Sequence, residues 1–431
     1  MSPVGFPRRP SSLAARLALV LLVALASLLV VSRLQASTAV RTSAVGRAPT
    51  AVAVDDRTQH VFVANLGSNT VSMLDAASGA VMAAIAVAPH PNTLAVATTA
   101  GRVFAVSDDV TPDDAGRVSV LDAASGRPLR TVAVGRGTHA LAVHERTGRV
   151  FVTNGSDASV SVLDVHSGRV LRTVPLEFVP SAMAMDERTD RVFLLTGAPG
   201  FQPFPTVVSL LDAQSGRVLR TQPAELPATA IAVDERTGQA FVANSHDGTV
   251  LVLDGRTASV VRSVAVAWTP GALAVDEHTG HIVVANAYDN SVSLVEAASG
   301  HVVRTVPLAL PPRAIVVDQR RDRVVVLTRE EFVPSAPAGQ VVVLDGLTGR
   351  LLHTAAVGAE VSAVALDERT GDAFVTATNV YGMPAGSDNT GLLRAWLQRG
   401  VPWSWVLRLL PPAPATTTGT VTMLDLSRLS A

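Results

Sequence analysis

The sequence predicts an all-β propeller of eight four-stranded blades. Three observations predict it. A unit with a base period of 42 residues recurs along the chain. Each unit divides into four short, alternating apolar runs separated by Gly, Asp, Asn and Ser. A lone run near the start of the chain matches the run missing at its end. A seven-bladed ring is the alternative, because the second unit is degenerate.

The unit is clear in DERTGQAFVANSHDGTVLVLD, residues 234–254. It returns as DDRTQHVFVANLGSNTVSMLD at 55–75, HERTGRVFVTNGSDASVSVLD at 144–164 and DEHTGHIVVANAYDNSVSLVE at 276–296. Longer versions begin at Asp186, Asp318 and Asp367, and the degenerate one runs from Ala97 to Asp122. The closing acids, Asp75, Asp122, Asp164, Asp212, Asp254, Glu296, Asp345 and Asp425, are 47, 42, 48, 42, 42, 49 and 80 residues apart. That spacing suits one propeller blade with insertions. In the fifth unit the strands read as 229–233 (innermost), 239–244, 249–254 and 259–267 (outermost). The recurring Asp234, Thr237, Gly238, Asn244 and Asp254 read as turn residues, since Asp and Asn cap turns and Gly supplies positive φ.

The chain ends supply the closure. TAVRTSAVG at 38–46 matches the outer run RPLRTVAVG at 127–135, while the last unit stops after its third run, TVTMLDL at 420–426. The N-terminal strand 38–46 is therefore expected to complete the last blade and remove the free edges. Along the innermost strands small residues (Ala51, Ala140, Ala182, Ala230, Ala272) alternate with large ones (Val52, Leu141, Met183, Ile231, Leu273). One sheet face is then small and the other large, so neighbouring blades can interlock.

Residues 1–36 stand apart from the propeller at 37–431. Arg8, Arg9 and Arg16 precede an uncharged apolar run at 17–32, and Arg33 follows. This predicts an apolar N-terminal helix acting as signal anchor, with its Arg-rich flank in the cytoplasm and the propeller outside. Cleavage of a signal peptide and secretion is the alternative.

The VFVAN, VFVTN and AFVAN runs at 61–65, 150–154 and 240–244, each followed by V-x-V-L-D-like and S-G-x-V-x-R-T-V-like strands, resemble the YVTN-type β-propeller repeat family, which includes YncE-like proteins. Phe or Val stands where that family carries Tyr. The resemblance covers about 38–378 and resumes at 419–426. It implies a propeller fold and an extracytoplasmic setting, and little chemistry, because function within that family is poorly defined.

Composition narrows the function. Net charge is −1, which leaves no basic excess for nucleic acid. There is no Cys, so thiolate metal sites, disulfides and Cys nucleophiles are excluded. The residues preceding the small inner positions, Thr50, Asn92, His139, Ser181, Thr229, Gly271, Arg313 and Ser362, predict a polar ring at one channel mouth. Within it Asn92, His139, Arg313, Ser181 and Thr229 are the candidate ligand-binding residues, because polar groups converging on a cavity mark sites. A hydrated rim with no ligand is the competing reading. The long connections at 107–116, 196–206, 328–339 and 379–419 all join second to third strands and are expected on that same face. The last holds GLLRAWLQRGVPWSWVLRLLPPAP at 391–414 within a Trp-rich helical insertion at about 380–418. Its Trp396, Trp403 and Trp405 are candidates for a lid, a membrane contact or a partner-docking patch.

These readings converge on a non-catalytic, envelope-anchored scaffold. It is expected to bind a protein or small-molecule ligand through its insertion-bearing face and to contact the membrane through residues 17–32. No cofactor, no metal site and no catalytic residues are expected. The alternative is a propeller enzyme, lactonase-like or quinoprotein-like, with its site at the channel mouth.

Overall fold

The computed structural model describes residues 40–108, 115–197, 206–224, 228–329, 339–358, 360–378 and 419–426. They form eight four-stranded antiparallel sheets, so the propeller has eight blades. In chain order blades 1 to 7 are 49–86, 91–133, 138–175, 179–223, 228–265, 270–307 and 312–358. Blade 8 takes three strands from 360–425, and Val40–Val45 is its fourth. That strand pairs antiparallel with Gly419–Asp425, from Val40↔Leu424 to Val45↔Gly419. The degenerate second unit is a complete blade. In the fifth unit the strands are Ala228–Asp234, Gln239–Asn244, Thr249–Asp254 and Val260–Ala265, within two residues of the sequence reading at most ends. Among the described residues there is no helix, and none is long and apolar enough to cross a membrane. Residues 17–32 and the 380–418 insertion lie outside the described residues.

The turns follow from local chemistry. Asp234 is fully buried at the end of its inner strand and its Oδ1 accepts the Thr237 N–H at 3.0 Å. Gly238 sits at φ 68°, a conformation that strains any residue with a Cβ. Asp254 accepts the Thr257 N–H and hydroxyl, both at 2.8 Å, and the hydroxyl holds its carboxyl below the usual range. Asn65, Asn154 and Asn286 are buried and each donates to two hydroxyls on the third strand, such as Ser159 and Ser161, both at 3.0 Å, for Asn154.

The core is divided among the seams between blades. The eight apolar clusters each join two neighbouring blades. Between blades 5 and 6, Phe241, Val250 and Val252 meet Ile282, Val284, Leu273 and Val275. Between blades 6 and 7, Val283 and Leu294 meet Ile315 and Val326, with Ala272 and Ala274 on the blade 6 side. Leu273 thus faces backward and its neighbours Ala272 and Ala274 face forward, which is the large-against-small interlock expected from strand alternation. Six Phe side chains, Phe62, Phe104, Phe151, Phe193, Phe241 and Phe374, fill six seams at the same strand position. Blades 6 and 7 use Val283 and Val325 there.

Candidate functional site

The two mouths of the channel are built differently. At the first mouth, where inner strands begin, the register against the second strand slips in every blade. In seven blades the slip skips a single residue: Thr50, Asn92, Ser181, Thr229, Gly271, Arg313 or Ser362. In blade 3 it skips His139 and Ala140. The polar ring read from sequence is therefore a ring of β-bulges. A bulge adds a residue that the ladder does not use and re-aims its side chain.

Four of these side chains are committed to the next blade. Thr50 Oγ1 donates to Pro91 O at 3.1 Å, Asn92 Nδ2 to Thr138 O at 3.1 Å, Thr229 Oγ1 to Pro270 O at 2.8 Å and Ser362 Oγ to Pro49 O at 2.6 Å. Ser181 Oγ bonds within its own blade, to Leu195 O at 3.3 Å. His139 is exposed and lies over Gly155, where a Cβ would come within 3.0 Å of its ring. Arg313 is half-buried. Asn92 and His139 are brought together, since Asn92 bonds the carbonyl preceding His139. Arg313 belongs to blade 7 and His139 to blade 3, four blades apart in a ring of eight, so the five candidates do not form one cluster.

Strand pairing also places the long connections. Their stems start beside the first residues of inner strands, as in Pro91↔Ser107, Val179↔Gly197, Pro312↔Thr328 and Glu360↔Thr378. All four stems thus open at the first mouth. Trp396, Trp403 and Trp405 lie outside the described residues.

At the second mouth, where inner strands end, lies a set of residues that the sequence reading did not single out. Six carboxylates follow the strand ends: Asp56, Glu145, Glu187, Glu235, Glu277 and Glu368, with Gln319 in blade 7. Glu187, Glu235 and Glu277, with Gln319, reach back to the preceding blade. Glu187 Oε1 accepts the Glu145 N–H at 3.0 Å, Glu235 Oε1 the Glu187 N–H at 3.1 Å, Glu277 Oε1 the Glu235 N–H at 2.7 Å and Gln319 Oε1 the Glu277 N–H at 3.1 Å. Cationic side chains reach forward around the same ring. Arg57 Nε donates to Thr98 O at 3.2 Å, Arg146 Nε to Glu187 O at 2.8 Å, and Arg321 bonds Glu368 O at 3.0 Å.

Like charge and burial show in these acids. Asp56 is pushed up to about 6, first by burial and then by Asp367 and Glu368, with Arg320 pulling it down. Glu235 is raised by burial and by Glu277 and Asp186, against the Glu187 N–H that favours its ionised form. A cavity of about 420 Å³ lined by Ala274, Val316, Val364 and Leu366 reaches this ring at Gln319 and Glu368. Among the described residues, no group of three or more His, Asp or Glu is arranged to hold a metal ion.

The signal for this second ring was present in sequence. An acid follows the turn-capping residue in six of the eight units, and a charge recurring once per blade at one strand end must form a ring.

The chain is a β-propeller, an architecture that commonly serves as a binding scaffold. No protein-family description and no curated protein matches its sequence. Among solved structures it is similar to Kuenenia stuttgartiensis hydrazine synthase, with a TM-score of 0.53 and 13% identity over 65% of this chain and 92% of that one. At that identity the likeness is one of fold alone.

Proposed function

We propose that the protein is a non-catalytic binding scaffold of the YVTN-repeat type, held at the cell envelope by residues 17–32, and that it captures its ligand or protein partner on the first-mouth face. The observation that carries this reading is the register of the inner strands, which brings the stems of all four long connections to that one mouth. Long connections on a rigid frame carry recognition, because their sequence can vary without disturbing the seams. The Val40–Val45 strand acts as the clasp that closes the ring, a reading supported by its pairing with Gly419–Asp425 and by the Ser362–Pro49 hydrogen bond between blades 8 and 1.

Site-specific photo-crosslinking in the native host tests the choice of face. A photo-reactive residue at His139 on the first mouth should give discrete adducts, and one at Arg236 on the second mouth should not. Adducts confined to position 236 would overturn the assignment.

A further inference from the structure

Blade 6 differs from blade 3 on the first-mouth face in a way that leaves a carboxylate without the guanidinium its blade 3 counterpart has. In blade 3 the residue leading into the inner strand is Arg136, whose Nε pairs with Asp157 Oδ1 at 2.7 Å while its backbone N–H meets Asp157 Oδ2 at 2.8 Å. In blade 6 the same backbone bond is kept, from Trp268 N–H to Asp289 Oδ2 at 2.7 Å, but the side chain is an indole. The aspartate is retained and the guanidinium is gone. Trp268 is 59% exposed, and Tyr288, next to Asp289, is 80% exposed. They are the two aromatic side chains among the exposed large hydrophobic residues described, and they lie on adjoining connections. The blade 5 turn also approaches Trp268: a Cβ on Gly248 would sit 3.7 Å from the Trp268 Cα, and the exposed Asp247 before it accepts the Thr249 hydroxyl at 2.7 Å through Oδ1. The two connections are tied together: Ala287 N–H bonds Thr269 O at 3.0 Å, and Thr269 takes the left-handed conformation at φ 56°.

We propose that Trp268, Tyr288, Asp289 and Asp247 form a docking site for a guanidinium group, supplied in trans by an arginine-bearing segment of a protein partner. The partner's arginine takes the place that Arg136 occupies in blade 3, pairing with Asp289 and lying against an aromatic face. A planar guanidinium satisfies both contacts, since it bonds carboxylates and stacks on rings. The site deepens the reading of the first mouth as the binding face and rests on it.

The test titrates a labelled hexa-arginine peptide against the full chain at low salt and follows anisotropy. A cation–π contact and an exposed ion pair together are worth about tenfold in affinity. Trp268→Arg restores the blade 3 arrangement and fills the site from within, so it should weaken binding about tenfold. Asp289→Asn, which keeps an acceptor for the Trp268 N–H, should do the same, and Trp268→Phe should retain most of the affinity. Equal binding by wild type, Trp268→Arg and Asp289→Asn overturns the proposal. So does binding that is lost instead with Glu277→Gln at the second mouth, or a chito-oligosaccharide that displaces the peptide from the wild type. A chain that yields adducts from position 139 in the host yet ignores the peptide overturns this site alone and leaves the choice of face standing.

Discussion

Asp56 is the one place in the second-mouth ring where Glu is replaced by a shorter acid, and its replacement by Asn offers a quantitative test of the seam between blades 8 and 1. Its carboxyl is half-buried and faces Asp367 and Glu368, and burial first and those acids second raise its affinity for a proton from an ordinary 3.8 to about 6. One pKa step is about 1.4 kcal/mol, so ionising Asp56 in the folded chain costs at most roughly 3 kcal/mol. The side chain is half-buried, and solvent screening reduces that to about 1 kcal/mol. The sign follows from linkage. Below pH 3.8 the carboxyl is protonated whether the chain is folded or not, and there is no penalty. As pH rises through about 6 the folded chain must ionise it and stability is lost. Asp56→Asn should therefore match the wild type at pH 4 and exceed it at pH 8 by about 1–2 °C in melting temperature. Melting curves of both proteins across that range decide the matter. An Asn variant no more stable than the wild type at pH 8, or a difference that does not grow with pH, would refute the account in which burial and the neighbouring acids penalise the ionised Asp56 at this seam.

Other expectations follow from the seams and the mouths. Phe241→Ala empties a fully buried position between blades 5 and 6 and should cost about 3–5 kcal/mol, read as a lowered denaturation midpoint. Ala272→Leu adds bulk on the small face against blade 7 and should cost about 1–3 kcal/mol, and a neutral effect would contradict the interlock. Removing residues 1–46 strips the outer strand from blade 8 and bares Gly419–Asp425 as an edge; size-exclusion chromatography should then show aggregation, and a monodisperse, undiminished protein would rule out the clasp. Elemental analysis of the purified chain should find no stoichiometric Ca²⁺ or transition metal, and a bound metal would turn the function toward the enzyme reading.

The blade was legible because its cause is local. Period-two alternation makes a strand, Asp and Gly make the turns, and a repeat of 42 residues makes the ring. The mouths were only half legible. That Thr50, Asn92, Thr229 and Ser362 share one position could be read from alignment of the units. That each spends its side chain on a carbonyl of the next blade could not, because the contact spans at least 41 residues and depends on how the bulge turns the side chain. Glu235 was passed over beside Asp234 for the same reason. Its partner is the backbone of Glu187, in another blade, and nothing near it in sequence shows that bond. His139 and Arg313 looked like one site in a list of ring positions, whereas ring order sets them far apart.

The hydrogen bonds between blades all have a direction. At the first mouth a side chain reaches forward to the next blade, and at the second a carboxylate reaches back to the blade before while an arginine reaches forward to the blade after. Each unit therefore brings one half of two different junctions, a leading half and a trailing half. A gene segment encoding one blade, copied in tandem, would bring both halves with it and meet matching surfaces on either side. Such a ring can lengthen by duplication without first evolving a new interface. The units where the pattern lapses, at Asp56, Thr98 and Gln319 among the second-mouth acids, are then the copies least interchangeable with their neighbours at that mouth. They mark where a repeated part has become an individual one.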